Sequence, residues 1–323
     1  MTTPSLTPAL TSLLTQAASG PIGLTETDRT RIAAALTAAV AQSTHDLCDR
    51  AWQPWERWCL LRGIAALPAD PAAICAYLAE RAEAGAAADT LTTICSAIAY
   101  RHRIRGLADP TLHEAVRLVR RGLRRLVGTA PRCQARPLST AEIRQIIDRI
   151  DRGTAKGARD AALILLGFAS ALRRSELAAL TLADLQHQPG GLFITLRRSK
   201  TDQEAAGQSV GVAHGQHAAT DPVAALAAWS ACRGRTAGPL FTSMRNRHLT
   251  LEPLSGEAIS RMLGRSHAAG LDATRITGHS LRAGHATTAA QAGVPLDRIA
   301  AQTRHKRIAT LLERYIRPAQ ALR

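Results

Sequence analysis

The chain has 323 residues, 46% of them apolar and 3% aromatic, so it is long enough for two domains with separate cores and too apolar for a disordered tail. Its 41 Lys and Arg against 25 Asp and Glu leave a formal net charge of +16, which points to a polyanionic partner, nucleic acid ahead of an anionic membrane surface, unless it reflects a general arginine-rich bias. The longest apolar run, Ala161 to Leu172, is too short to cross a bilayer, the start lacks the pattern of a signal peptide, and Cys48, Cys59, Cys75, Cys95, Cys133 and Cys232 never form C-x-x-C, so a cytoplasmic protein with reduced cysteines, acting on the nucleoid, is expected.

Residues 1–24, rich in Thr, Ser and Pro, read as a flexible leader. A helix is predicted from about Thr25 to Gln42, and Ser43 or Thr44 could cap the next one. That next helix carries Trp52, Trp55 and Trp58 at spacings of three, an arrangement read as core. Two further helices are predicted, Pro71 to Ala84 and Asp89 to Arg105. In the following segment Leu112, Val116, Val119, Leu123 and Leu126 form an apolar stripe, while Arg117, Arg120, Arg121, Arg124 and Arg125 fall mostly on the remaining surface. With Glu114 the only acid near that face, it suits phosphates better than it suits mere solvation.

Residues 127–137, with Gly, two prolines and no periodicity, read as a linker between a helical domain at 25–126 and a second domain at 138–323. Ser139 with Glu142 three residues later is a capping-box arrangement. A buried helix from Arg159 to Ala171 is expected next. A hairpin follows, with Gly190-Gly191 turning into Leu192 to Arg198 and a return along Ser209 to Ala213. From Asp221 onward the pattern is helical.

Four short segments of the second domain could carry chemistry. In Ala171-Leu-Arg-Arg-Ser-Glu-Leu177, Ser175 could cap a short helix and leave Arg173 at the turn before it, its fork aimed at a phosphate. Lys200 stands near the tip of the hairpin, where a lysine is ordinarily only solubilising. In Gly278-His-Ser-Leu-Arg-Ala-Gly284, His279 and Arg282 are three apart and share a helical face, close to a helix N-terminus that favours an anion. The last segment, Thr303-Arg-His-Lys-Arg, precedes Tyr315, one of only three tyrosines.

Each piece is common, but the ordered set Arg173, Lys200, His279-x-x-Arg282, His305 and Tyr315 resembles the signature of the tyrosine recombinases, the phage integrase family of Cre-like site-specific recombinases. The resemblance covers the second domain nearly end to end. It implies a mainly α fold: a helical N-terminal core-binding (SAM-like) domain, and a mixed, mostly helical catalytic domain with a small antiparallel sheet, the two clamping DNA. It implies a site-specific DNA recombinase that cleaves and rejoins strands through a 3′-phosphotyrosine intermediate and needs no metal or other cofactor.

By the same resemblance the hydroxyl of Tyr315 is the nucleophile, and Arg173 and Arg282 hold the non-bridging phosphate oxygens. Lys200 is the general acid, His279 a base or proton shuttle, His305 a hydrogen-bonding partner of the phosphate, and Glu176 a buttress. The chemistry agrees. A tyrosine of ordinary pKa near 10 is ionised only to about one part in a thousand at neutral pH and needs a base or positive charge beside it. A phosphoryl transition state spreads negative charge that guanidiniums stabilise.

The implied partners are double-stranded DNA, further copies of the chain in a homotetramer on DNA, and an accessory DNA-bending protein. The helices Asp89 to Arg105, Leu112 to Arg125 and Ser255 to His267 are the candidates to face DNA, through Arg101, Arg103, Arg117, Arg121, Arg124 and Arg261. Three departures from the family pattern stand out. His305 is ten residues before Tyr315 (315 − 305), one more than the family usually has, which puts Lys306 at the usual position; Ala171 replaces a common glycine; and eight residues follow Tyr315. A type IB topoisomerase-like or telomere-resolving enzyme, a non-catalytic DNA-binding protein of the same fold and a basic coat protein are the rival readings.

Overall fold

The computed structural model describes residues 25–38, 40–130, 134–197, 207–246, 248–264, 269–314 and 316. The chain divides into two compact units, Met1–Arg132 and Cys133–Arg323.

The first unit is helical: α1 (Glu26–Ala38), α2 (Gln42–Leu61), α3 (Pro71–Glu83), α4 (Ala88–Arg103) and α5 (Glu114–Val127). Helix α2 begins before the expected caps. Ala41 holds the N-cap position without a side-chain hydrogen bond, and Ser43 and Thr44 lie inside the first turn. Its tryptophans form the core as expected: Trp55 and Trp58 stack with ring centroids 5.6 Å apart, and Tyr77 meets both, alongside Ile74, Leu78, Ile98 and Val116. Each indole N–H is satisfied, Trp55 Nε1 donating to Ala66 O at 3.2 Å and Trp58 Nε1 to Glu80 Oε2 at 2.9 Å.

The stripe expected on α5 is only partly apolar contact. Val116 is fully buried and Leu123 is half-buried against the tryptophan core, but Leu112, which sits in a separate short 3₁₀ turn (Pro110–Leu112), is 70% exposed and Leu126 is 83% exposed. The helix therefore docks by its middle and carries its arginines over a wider surface than the spacing suggests.

The second unit contains α6 (Thr140–Asp148), α7 (Ala155–Ser170), α8 (Arg174–Ala179), β1 (Leu185–Gln188), β2 (Gly191–Leu196), β3 (Gln208–Ala213), α9 (Pro222–Arg233), β4 (Thr242–Arg245), β5 (His248–Pro253), α10 (Gly256–Gly264), α11 (Gly278–Gln291), α12 (Leu296–Thr303) and α13 (Ile308–Arg314). Val127, placed in the linker by sequence, closes α5, and Arg136 at the other end already belongs to the second unit, its N–H donating to Arg275 O at 2.9 Å.

The capping box of α6 is present, with Glu142 N–H donating to Ser139 Oγ at 3.2 Å and Ser139 N–H to Glu142 Oε2 at 2.9 Å. Helix α7 is the central buried rod. It begins four residues before the expected Arg159 because Thr154 caps it, accepting from Gly157 N–H at 3.0 Å. Around it pack α9, α11 and β3. The expected hairpin is part of a three-stranded antiparallel sheet in the order β1-β2-β3, with Ile194 opposite Leu185 on one side and Val210 on the other. Leu192, Ile194, Leu196, Val210 and Val212 are buried in the core, the alternation of a half-buried sheet.

The region after Asp221 is not all helix. Strands β4 and β5 form a second antiparallel hairpin, turned by Asn246 at φ 49°. The hairpin is tied to α7 through buried Arg159, whose Nη1 donates to Thr242 O at 3.0 Å while Nε and Nη2 hold Asp160 Oδ1.

Candidate active site

Helix α7 ends at Ala171, a left-handed C-cap with φ 50° and ψ 31°. The chain then turns into α8, and Arg173, in extended conformation, takes the N-cap position; Ser175, expected as the cap, lies inside the helix. Glu176 does the capping instead. Its Oε2 accepts from Arg173 N–H at 2.8 Å, and its Oε1 from Arg173 Nη1 at 2.6 Å. Oε2 also accepts from Arg304 Nη2 at 2.7 Å, across 128 residues of sequence. Side-chain exposures of 13% for Arg173, 2% for Glu176 and 6% for Arg304 make this a nearly dry cluster.

Helix α11 begins at a cap made by Thr277, whose Oγ1 accepts from His279 N–H at 3.2 Å while Ser280 Oγ returns the contact to Thr277 N–H at 3.0 Å. His279 and Arg282 are three apart on α11 as expected, but at different depths. His279 is exposed, whereas Arg282 is wholly buried. Arg282 Nη1 donates to Ala171 O at 2.7 Å and Nη2 to Thr303 O. Both carbonyls sit at helix C-termini, of α7 and α12, where acceptors lack intrahelical donors and the dipole attracts a cation. Gly284, two residues further along α11, admits the backbone of Leu138; a Cβ there would lie 2.1 Å from Leu138 O.

Helix α12 ends at Arg304, again left-handed with φ 55° and ψ 45°, and this turn places His305 beside Arg282, Nε2 lying 3.4 Å from Arg282 Nη2. Thr303 Oγ1 donates to Ile299 O at 2.6 Å, so its contact with His305 Nδ1 at 2.7 Å requires the ring to donate. His305 is therefore the Nδ1–H tautomer, with Nε2 an acceptor toward Arg282. Burial, and then the charges of Arg282, Arg173 and Arg304, push His305 down to about 4, so it is neutral at pH 7. Burial raises the Glu176 carboxyl, but Arg304 and the hydrogen bonds from Arg173 outweigh it and hold the group below the usual range. Burial also lowers Arg304, countered by Glu176. Three guanidiniums, Arg173, Arg282 and Arg304, against one carboxylate leave a net charge of +2 (3 − 1).

The structure thus brings Arg173, Glu176, Arg282 and His305 together, and it separates His305 from Lys306, which is exposed. An open cavity of about 600 Å³ lies against this end of the unit, lined by Gln208, Ser209, Asp297, Arg304, His305 and Lys306 among others. Lys200, between β2 and β3 in sequence, and Tyr315, directly after α13, lie outside the described residues. Ile316 is described: its N–H donates to Leu311 O at 3.0 Å and its side chain packs with Ala289 and Ala290 of α11 around buried Ile299, Ala300 and Leu311. Arg304 was not singled out from sequence; the only signal was its place next to His305.

In the first unit a groove of about 690 Å³ is lined by Arg117, Arg120, Arg121, Arg124 and Arg125 with Gly128 and Thr129. Arg103 and Arg261 are exposed. Arg101 is engaged within the unit, its Nη2 2.7 Å from Asp49 Oδ1 and its guanidinium over the Trp52 ring. Among the described residues no group of three or more His, Cys, Asp or Glu could hold a metal ion, and no helix is long and apolar enough to cross a membrane.

The phage integrase family matches residues 136–321, the span that holds all of these second-unit groups. The chain belongs to that family. It is 34% identical over 274 residues to the integrase/recombinase XerD homolog of Selenomonas ruminantium, covering 83% of this chain and 79% of that protein. It is 26% identical to recombinase Cre of Escherichia phage P1, covering 81% of this chain and 80% of that one. In fold it is similar to a lambda integrase tetramer bound to a Holliday junction, with a TM-score of 0.56 at 16% identity, covering 98% of this chain and 79% of that one. The protein is a site-specific DNA recombinase of the tyrosine type, as the motif implied, and the mainly α architecture with small antiparallel sheets is the one expected.

Proposed function

We propose that this recombinase breaks and rejoins duplex DNA at the cluster around Glu176, with Tyr315 as nucleophile. The tyrosine oxygen forms the new bond to phosphorus, and the bond from phosphorus to the 5′-oxygen breaks. The phenolic proton passes to His279, and Lys200 protonates the departing 5′-oxygen. The reverse step, with a 5′-hydroxyl of a partner strand, reseals the DNA. A phosphodiester gains negative charge on the way to its five-coordinate transition state, and the net +2 cluster of Arg173, Arg282 and Arg304 matches that charge in a site largely shielded from water. That cluster is the observation that carries the reading.

His305 completes it in a form the motif does not reveal. As a neutral acceptor toward Arg282 it orients that guanidinium. It donates to a phosphate only after taking up a proton on Nε2, which an arriving dianionic transition state favours.

The first unit serves as the core-binding domain, gripping phosphates through Arg117, Arg121 and Arg124 along the α5 groove and through Arg103, and Arg261 on α10 of the second unit is a further DNA contact. The assembly on DNA is a homotetramer, aided by a DNA-bending protein. The test is covalent trapping with nicked duplexes whose cut strand sheds a short 5′-hydroxyl fragment, beside Tyr315→Phe. A denaturation-resistant adduct made by the wild type and absent from the variant supports the reading. Tight DNA binding without any adduct across a full library of duplexes favours a binding protein.

A further inference from the structure

The residue at 304 sits where its backbone is least suited to it. A left-handed C-cap is the position where glycine is least strained, and an arginine there also gives up the freedom of a long side chain on burial. What the side chain does in return is narrow. Its Nη2 takes Oε2 of Glu176 and its Nη1 donates to Gln302 O at 3.1 Å.

The consequence falls on Arg173. A guanidinium beside a carboxylate ordinarily pairs fork to fork, using two N–H groups on two oxygens. Here Oε2 is already shared by Arg304 and the N–H of Arg173 itself, so the Arg173 side chain reaches Glu176 through Nη1 alone, on Oε1. Among the described residues its Nε and Nη2 make no hydrogen bond, and those are the donors left for a phosphate oxygen.

We propose that Arg304 is a positioning residue: by occupying Oε2 of Glu176 it prevents Arg173 from closing into a two-pronged pair and keeps two of its donors turned to the scissile phosphate. The proposal rests on the functional reading above. It also accounts for an arginine at a left-handed position beside a carboxylate that Arg173 alone could neutralise, and it adds the charge that brings the cluster to +2 (3 − 1).

The test uses the full chain and the nicked duplex selected by the wild type in the trapping experiment. Arg304→Gly relieves the backbone and Arg304→Met keeps the Cβ and aliphatic stem. In both, the single-turnover rate of adduct formation is expected to fall about thirtyfold or more at saturating DNA, with the Kd for DNA within about twofold of wild type. Arg304→Lys, which returns a donor to Oε2, is expected to recover part of the loss. Wild-type rates in Arg304→Gly or Arg304→Met overturn the proposal, and so does loss of folding in both, which would make the contact a structural one.

If the wild type traps no duplex, the functional reading fails first and the arrangement is still decided by a crystal structure of Arg304→Met. Arg173 paired through two N–H groups to both oxygens of Glu176 supports the positioning role. An unchanged single contact through Nη1 removes it.

Discussion

The five arginines along α5 and the three around Glu176 carry the same guanidinium in opposite surroundings. On α5 they line an open groove, with a single acid, Glu114, 3.6 Å from Arg117. In the second unit Arg282 is wholly buried and Arg173 and Arg304 nearly so, each fixed by carbonyls or by one carboxylate. Exposed charge acts through a field that salt screens, and it tolerates any geometry that brings a phosphate near. Buried charge is screened little, costs desolvation, and is useful only where its donors already point at the reacting group. On the proposed function, the difference assigns the salt-dependent grip on DNA to the exposed row and the chemistry to arginines that have been taken out of water.

The largest effect should come from changing donor geometry while leaving charge alone. Arg173→Lys keeps the positive charge but replaces a planar fork, whose donors sit on three separate nitrogens, by one ammonium nitrogen that cannot reach Glu176 and the phosphate from separate positions at once. Adduct formation on the trapped duplex is expected to fall by about 10²–10³-fold, with DNA affinity and its salt dependence unchanged. A loss of affinity equal to the loss of rate would mean that Arg173 belongs with the α5 set.

The complementary change is made on α5. Arg117, Arg121 and Arg124 fall at spacings of four and three, on one exposed face. Replacing all three by Gln should flatten the slope of log affinity against log salt by up to about 2.7, which is 0.9 for each of three lost contacts. The adduct rate at saturating DNA should stay within a few-fold of wild type. A slope that does not move would show that this row is solvated and touches no DNA.

Close quarters in the buried set also leave a mark in acid. Folded His305 remains neutral down to about 4, whereas an unfolded histidine takes up its proton near 6.5. Between those values the unfolded chain holds the extra proton. Stability therefore rises with pH across the window and is lost as pH falls from 6.5 toward 4, by on the order of 3 kcal/mol at full extent. The denaturant midpoint of the second unit, followed by hydrogen exchange of its own peptides, should decline over this range in the wild type and less in His305→Asn, where His285, whose pKa burial also lowers, accounts for the remainder. An equal decline in both would assign it to another group. Glu176, with its depressed pKa, contributes stability that is present above the ordinary carboxylate range and lost only at lower pH, as pH falls through its folded value.

Much of this contrast was legible in the sequence, and its limits have physical causes. Arg173, Arg282 and His305 could be picked out because few side chains bind phosphate and their order along the chain narrows the choice. The tryptophan core and the capping box at Ser139 were legible because both are local. Arg304 was not, since its role depends on a left-handed φ and on a carboxylate 128 residues away. The β4–β5 hairpin escaped because β5 runs half-exposed and exposed throughout, without the alternation that marks a strand. The pairing of Arg101 with Asp49 was not legible, because its partner comes from another helix. The ends of the α5 stripe misled because periodicity records which residues could bury, and only packing decides which do.

The smallest expected effect tests the floor beneath Arg282. Ala171 holds a left-handed backbone and offers its carbonyl to Arg282 Nη1. Ala171→Gly relieves about 1–2 kcal/mol of strain. Against that stand about 0.4–1 kcal/mol of added freedom in the unfolded chain and about 0.8 kcal/mol for one lost buried methyl. These nearly cancel, and glycine keeps the carbonyl, so both the melting temperature and the adduct rate should match wild type. Ala171→Val has the same carbonyl but a β-branched side chain at φ 50°, which disfavours that backbone strongly. If Arg282 is held by the backbone at this cap, Val should lower the rate together with stability while Gly lowers neither. A glycine variant that folds normally but cleaves slowly would show instead that the Ala171 methyl, packed in the core, helps hold the guanidinium in place.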